Sequence, residues 1–317
     1  MKILVTGGLG YLGPHIVRFL AEELGRDVRI LTNRIPDHFE TWPSKYETVV
    51  SDTTDAGGLE GVCEGCQAVI HLAALGREEA RLDPERALLV SGMGTKNILS
   101  EARKSGVERC LYFSTVHVYG SLDNKAVDET TPVNPLDDYS LCHFVGELYC
   151  QTLQQGHGLF SLRVRLSNGY GAPLHREVDC WSVVVQDFCR SAYEEGKIQL
   201  KSAGTQRRDF ISIPEILRGV RVLLEAEPAK IRHDLYHLGS GVSYSIREIA
   251  EEVKNVYRKI YARDVEVTGP PSIPAAEAKA LFRLDISRLQ ELGFRPGPAD
   301  ILRTQIAKTF ELLESGC

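Results

Sequence analysis

The sequence predicts an α/β chain built on a doubly wound parallel sheet, followed by a smaller domain. Three observations carry this. Short apolar runs alternate with helical patterns through the first half, a glycine-rich turn follows the first run and opens a helix, and the rhythm breaks after about Ser167. Alternation of this kind implies βαβ units and a parallel sheet covered on both faces.

The elements follow in order. Lys2-Ile3-Leu4-Val5-Thr6 reads as the first strand, with a helix over residues 11–24. Further strands are expected at 28–31, 48–50, 68–72 and 110–114, and helices at 84–105 and 138–155. The second half predicts helices at 178–195, 214–225, 245–261 and 300–313, separated by short strands and loops. Gly269-Pro270-Pro271-Ser272-Ile273-Pro274 is the clearest loop. The expected division is residues 1–166 with 208–229 in the first domain, and 167–207 with 230–317 in a second that caps the carboxyl edge of the sheet.

Composition narrows the function classes. The chain has 317 residues, 25% of them charged, and a formal net charge of -6. An acidic chain is poorly suited to a phosphate backbone or an anionic membrane surface, so neither nucleic acid nor membrane is an expected partner. No apolar run reaches the ~18–20 residues that span a bilayer. The amino terminus enters a glycine turn at once, as a strand does and a signal peptide does not. Cysteines stand at 63, 66, 110, 142, 150, 180, 189 and 317. Without a secretory signal they read as reduced thiols of a cytoplasmic protein. Cys63 and Cys66 have no second pair at zinc spacing, so no metal is expected.

The strongest signal is Thr6-Gly7-Gly8-Leu9-Gly10-Tyr11-Leu12-Gly13. Glycines permit a tight turn and let backbone N–H groups approach a pyrophosphate, and the helix N-terminus adds partial positive charge. A strand before the turn and a helix after it meet the context such a motif needs, that of a Rossmann sheet binding a dinucleotide.

The spacing Gly7-x-x-Gly10-x-x-Gly13 resembles the extended short-chain dehydrogenase/reductase family. Further motifs match in order. They are Asp52 with Thr53 after the third strand, His71-Leu72-Ala73-Ala74, Gly94-Thr95-Lys96-Asn97, Ser114-Thr115-x-x-Val118-Tyr119-Gly120, and Glu129-x-x-Pro132-x-x-Pro135-x-x-x-Tyr139. Arg165-x-x-Asn168-x-Tyr170-Gly171, Arg208-Asp209-Phe210-Ile211 and Leu292-Gly293-Phe294-x-Pro296 resemble the substrate side and the C-terminal signature of that branch, which largely handles nucleotide sugars. The resemblance implies a dinucleotide held by Gly7, Gly10, Tyr11, Leu12, Gly13, Asn33, Arg34, Asp52, Thr53, Leu72, Ala73 and Ala74, together with Tyr139 and His143. It implies Tyr139 as the proton-moving group, Thr115 orienting the substrate oxygen, and Asn168 and Arg208 on the phosphates or sugar. The second strand ends Leu31-Thr32-Asn33-Arg34 without the acidic residue that holds the NAD ribose, so the cofactor is NAD or NADP with a lean to NADP through Arg34.

The sequence departs from the family in several places. The usual lysine four residues after the tyrosine is His143, still on the same helix face as Tyr139. A neutral imidazole gives less electrostatic help than an ammonium to a phenol of pKa ~10. Ser91 replaces a common asparagine. Val116-His117 stands where sugar 4,6-dehydratases carry Asp-Glu, which argues against that elimination, with His117 either a substrate-facing acid/base or a locally satisfied histidine. The stretch from Gly269 to Asp285 lacks the late Arg-Pro-Gly-Asp found in many nucleotide-sugar members.

The leading expectation is a nucleotide-sugar epimerase or ketoreductase. A dinucleotide-binding sensor or scaffold that has lost catalysis, and a reductase of a non-nucleotide carbonyl compound, stay open. The resemblance also implies a homodimer through the helices at 84–105 and 138–155.

Overall fold

The computed structural model describes residues 1–122, 125–157, 159–271 and 282–315. In chain order the elements are β1 (Lys2–Thr6), α1 (Gly13–Arg18), β2 (Asp27–Thr32), α2 (Trp42–Lys45), β3 (Glu47–Val50), β4 (Ala68–His71), α3 (Arg77–Leu82), α4 (Pro84–Ala87), α5 (Thr95–Lys104), β5 (Arg109–Thr115), β6 (Ala126–Val127) and α6 (Asp138–His157). They continue with β7 (Ser161–Leu166), β8 (Asn168–Tyr170), α7 (Val184–Glu195), β9 (Lys197–Gln199), β10 (Arg207–Ser212), α8 (Ile213–Glu225), β11 (Leu235–Leu238), β12 (Ser243–Ser245), α9 (Ile246–Tyr261), β13 (Glu266–Thr268), β14 (Arg283–Leu284), α10 (Ser287–Glu291) and α11 (Ile301–Ser315).

Seven parallel strands form the main sheet in the order β11-β7-β5-β4-β1-β2-β3. The order reverses between β1 and β4, and in such sheets the crevice outside the carboxyl ends at that point is where ligands bind. The expected parallel sheet is present, with two strands that the apolar pattern did not reveal. β7 reads Ser-Leu-Arg-Val-Arg-Leu, and its arginines hide it. Arg163 and Arg165 are both buried, and each is neutralised, by Asp234 at 2.7 Å and by Glu147 at 2.6 Å.

Core side chains lie on both faces of the sheet. Ile3, Val5, Ile16, Ile30, Leu111 and Leu238 belong to one cluster, and Leu4, Leu31, Val69, Ile98 and Leu99 to another. Cys63, Cys66, Cys110 and Cys150 pack within the second cluster as free thiols. A separate apolar cluster joins α7, α9 and α11 through Val185, Phe188, Ile249, Val253, Ile306 and Phe310. Beside it β10 pairs with β8 in parallel and with β12 in antiparallel fashion.

Some predicted helices are shorter or interrupted. The helix expected over 11–24 begins at Gly13 and widens to a π-helix at Phe19–Glu23. The helix expected over 84–105 is broken by a π-helix at Leu88–Gly94. Glycines let that segment come close to its neighbours: a Cβ at Gly94 would lie 2.5 Å from Thr53 Oγ1, and one at Gly92 3.2 Å from Val145. Such π-turns are frequent at functional sites, and this one carries Ser91, whose carbonyl accepts the Thr95 hydroxyl. The helix expected over 178–195 begins only at Val184, because Val183 is extended. Residues 272–274 of the Pro/Gly loop, and residues 272–281 of the stretch without an Arg-Pro-Gly-Asp motif, lie outside the described residues. Among the described residues no helix is long and apolar enough to cross a membrane.

Candidate active site

The glycine turn sits at the carboxyl end of β1, beside the end of β4. Gly7 adopts φ +65°, and a Cβ there would press on Ala73 N at 3.0 Å. Gly13 matters for packing, since a Cβ there would collide with the Gly7 carbonyl, so glycine is what lets α1 sit against the turn. Gly10 is the open member, exposed, with only the Gly7 carbonyl within reach of a Cβ at 3.5 Å. The adjoining strand ends are locked together. Thr6 Oγ1 accepts the N–H groups of Leu72 and Ala73, each at 3.2 Å, and meets His71 Nδ1 at 2.5 Å. His71 Nε2 lies 3.0 Å from Thr95 Oγ1, which makes His71 a satisfied core histidine, with burial holding its pKa down at about 3.

Several residues expected at the dinucleotide differ in what their side chains do. The Tyr11 hydroxyl donates to the Gly171 carbonyl at 2.8 Å and accepts from Gln186, so its side chain ties α1 to the segment after β8. Asp52 accepts Thr54 N and Oγ1 at 2.8 Å each and is ion-paired with Arg86. Thr53 is buried against Gly94, and its carbonyl accepts from Asn97 at 3.0 Å. Asn33 and Arg34 are exposed beyond the end of β2, where Thr32 Oγ1 donates to the Arg34 carbonyl at 2.7 Å.

Thr115, Tyr139 and His143 do come together. Thr115 closes β5 and Tyr139 lies in the first turn of α6. A hydrogen bond with Thr115 favours the Tyr139 phenolate, yet burial outweighs it and keeps the phenol above its ordinary value. The His143 ring stacks edge-on against Tyr139 with centroids 4.6 Å apart. Burial lowers the His143 pKa to about 4, although Glu147, a hydrogen bond with the Phe113 backbone and Asp137 all pull the other way. His143 is thus a neutral imidazole at pH 7. Its Nδ1 is buried with no hydrogen-bond partner among the described residues. The His117 ring lies 6.4 Å from that of Tyr139, with burial and then Arg77 and Arg208 lowering its pKa to about 4. It too is neutral at pH 7.

The helix carrying these groups is anchored from beneath. Tyr112 of β5 donates to the His143 carbonyl at 3.0 Å, a contact that depends on Gly146, where a Cβ would overlap the Tyr112 hydroxyl. Arg165 grips Glu147 through two bonds of 2.9 and 2.6 Å, and Ser114 Oγ donates to the same carboxylate at 2.5 Å. The substrate-side motifs are partly structural. Asn168 Nδ2 donates to the Asp209 carbonyl at 2.8 Å. Asp209 is fully buried and accepts Ser167 Oγ and Ser240 N, and burial pushes its pKa up to about 6 against those hydrogen bonds. Arg208 donates to the Arg207 carbonyl at 2.7 Å, and its charge is felt at His117. Sequence reasoning missed Arg77, Arg86 and Glu147. Each is a charged residue on a helix, and only its distant partner distinguishes it from a solvated one.

The fold and the turn define a doubly wound α/β protein with a glycine turn at the switch point of its sheet. Residues 3–239 match the model of the NAD dependent epimerase/dehydratase family, and the chain belongs to that family of enzymes. It is 27% identical over 325 residues to a UDP-glucose 4-epimerase of Corynebacterium glutamicum, covering 95% of this chain and 92% of that protein. A dTDP-glucose 4,6-dehydratase of Streptomyces niveus is 26% identical over 309 residues, covering 93% and 88%. Among solved structures, the Thermotoga maritima UDP-glucose 4-epimerase with UDP-glucose aligns with TM-score 0.84 at 22% identity over 99% of both chains. The Thermus thermophilus UDP-glucose 4-epimerase with NAD aligns with TM-score 0.81 at 23% identity over 100% of both. At these identities the structural likeness speaks for the fold.

Proposed function

We propose that this chain is a nucleotide-sugar epimerase or ketoreductase that works on a sugar hydroxyl or carbonyl with Tyr139 as acid/base. The observation that carries the reading is that Tyr139, in the first turn of α6, and Thr115, at the carboxyl end of β5, come together so that Thr115 favours the Tyr139 phenolate. Thr115 would hold the reacting oxygen, and Tyr139 would take its proton or return it. Elimination of water as in a 4,6-dehydratase is disfavoured, because the two residues after Thr115 are a buried valine and a neutral histidine rather than carboxylic acids. Arg208 and Asn168 form the substrate side in this reading.

The residues fit a dinucleotide. Gly10 leaves room for a pyrophosphate, and the buried Nδ1 of His143 lacks a partner among the described residues. When bound, the dinucleotide supplies hydride chemistry. Relatives crystallised with NAD agree with this, while the exposed Arg34 and the missing acid near Thr32 allow NADP. Gly10→Val is expected to abolish dinucleotide binding with the fold intact, read by calorimetry and by thermal unfolding. Gly13→Val, whose Cβ collides with the Gly7 carbonyl, should instead destabilise the fold. Unchanged affinity in Gly10→Val would remove the dinucleotide from this turn.

We also place a homodimer interface on the helices from 84 to 104 and on α6, where Leu88, Leu89, Met93, Leu141 and Leu148 are exposed. Native mass spectrometry of the purified protein reads subunit number, retained NAD or NADP, and any nucleotide sugar together. A single chain would exclude the dimer. A retained dinucleotide with no turnover on any nucleotide sugar would favour a second reading, a dinucleotide-binding sensor, for which the neutral His143 speaks.

A further inference from the structure

We propose that Arg77 is the positioning cation for Tyr139, supplying from the segment after β4 the positive charge that position 143 no longer provides. This rests on the reading of Tyr139 as the acid/base. The Arg77 guanidinium carbon lies 5.8 Å from the centre of the Tyr139 ring. Its orientation is set by Asp137, which receives Arg77 Nε at 2.9 Å and Nη2 at 2.7 Å. Asp137 also accepts Ser140 N at 2.8 Å and so caps the start of α6, two residues before Tyr139. The ion pair therefore joins the first turn of α3 to the N-terminus of the helix that carries Tyr139.

The charges around the phenol can be counted by element. His143 lies along α6 and His117 follows β5, and both are neutral at pH 7. Tyr112 of β5 is a neutral phenol, held up by burial. Arg77 favours the Tyr139 phenolate and Asp137 opposes it, with Arg77 the larger of the two. Arg208 acts on His117 and Glu147 on His143. Arg77 is thus the cation that acts on Tyr139 among the described residues, but it is 55% exposed and shares its charge with a carboxylate, so its effect is moderate. A charge several ångströms away in a half-aqueous setting moves a titration by about half a unit to one unit.

The test places a fluorinated tyrosine at position 139 in the full chain and follows its ionisation by fluorine NMR, which needs no substrate. Arg77→Gln is expected to raise the midpoint by about half a unit to one unit. Arg77→Lys keeps the charge and should return the midpoint most of the way. The gap between wild type and Arg77→Gln should narrow in 1 M salt, where the screening length is about 3 Å. An unchanged midpoint in Arg77→Gln overturns the proposal, as does an Arg77→Lys midpoint displaced as far as that of Arg77→Gln. Either result leaves the role of Tyr139 standing, because that role is read separately from turnover of Tyr139→Phe.

Discussion

Replacing Tyr139 by phenylalanine is expected to lower turnover by about 10²- to 10⁴-fold, the usual contribution of a positioned acid/base, with dinucleotide affinity unchanged. The ring keeps its packing against His143 and His117, so only the hydroxyl is lost. The same assay run against pH tests the electrostatics. With His143 neutral, the rate should rise to higher pH than in a variant carrying a cation there. Burial would disfavour a lysine ammonium at 143, yet Glu147 and Asp137 both favour positive charge at that position. His143→Lys should therefore shift the rate profile downward. Full turnover in Tyr139→Phe would overturn the assignment of the base. Turnover that appears only in His143→Lys would support the sensor reading.

Removing the Glu147 charge is expected to cost about 3–5 kcal/mol of stability, the penalty for leaving one member of a buried ion pair unpaired. Side chains at both ends are almost wholly enclosed, 4% exposed for Arg165 and 0% for Glu147. Arg165 also stacks on Tyr119 with its guanidinium carbon 4.7 Å from the ring centre, and the Tyr119 hydroxyl meets His237 Nε2 at 2.5 Å. In Glu147→Gln the guanidinium would keep this packing but lose its counter-charge. Urea unfolding measures the effect as a lower midpoint at constant slope. A loss below about 1 kcal/mol would show that Arg165 finds other neutralisation, in the range of an exposed ion pair. Replacing both partners by apolar residues should recover much of the stability, since desolvating the pair is itself costly. The pair ties α6 to β7, so the destabilised variant should also lose precision at Tyr139.

Much of the site can be read from the chain because its signals are local. Gly7, Gly10 and Gly13 are spaced by the geometry of one turn, and Tyr139 and His143 by one turn of helix. The departures at 91, 116, 117 and 143 are equally plain, since each is a single side chain in an otherwise matching motif. What these residues touch is not. The motif puts Tyr11 at the dinucleotide, but its hydroxyl bonds Gly171 and Gln186, which lie 160 and 175 residues further along. The motif leaves Asp52 open to adenine, and the fold pairs it with Arg86.

By itself the sequence determined the parallel sheet, the glycine turn after its first strand and the tyrosine-bearing helix. Each depends on apolar period or turn chemistry within a few neighbouring residues. The tertiary structure alone decided that β7 is buried despite two arginines, that Arg165 of β7 holds α6 through Glu147, and that Arg77 sits over Tyr139. Charged side chains carry no local sign of their partner. A buried arginine is tolerable only where folding brings a distant carboxylate to it, and that meeting follows from how the elements stack.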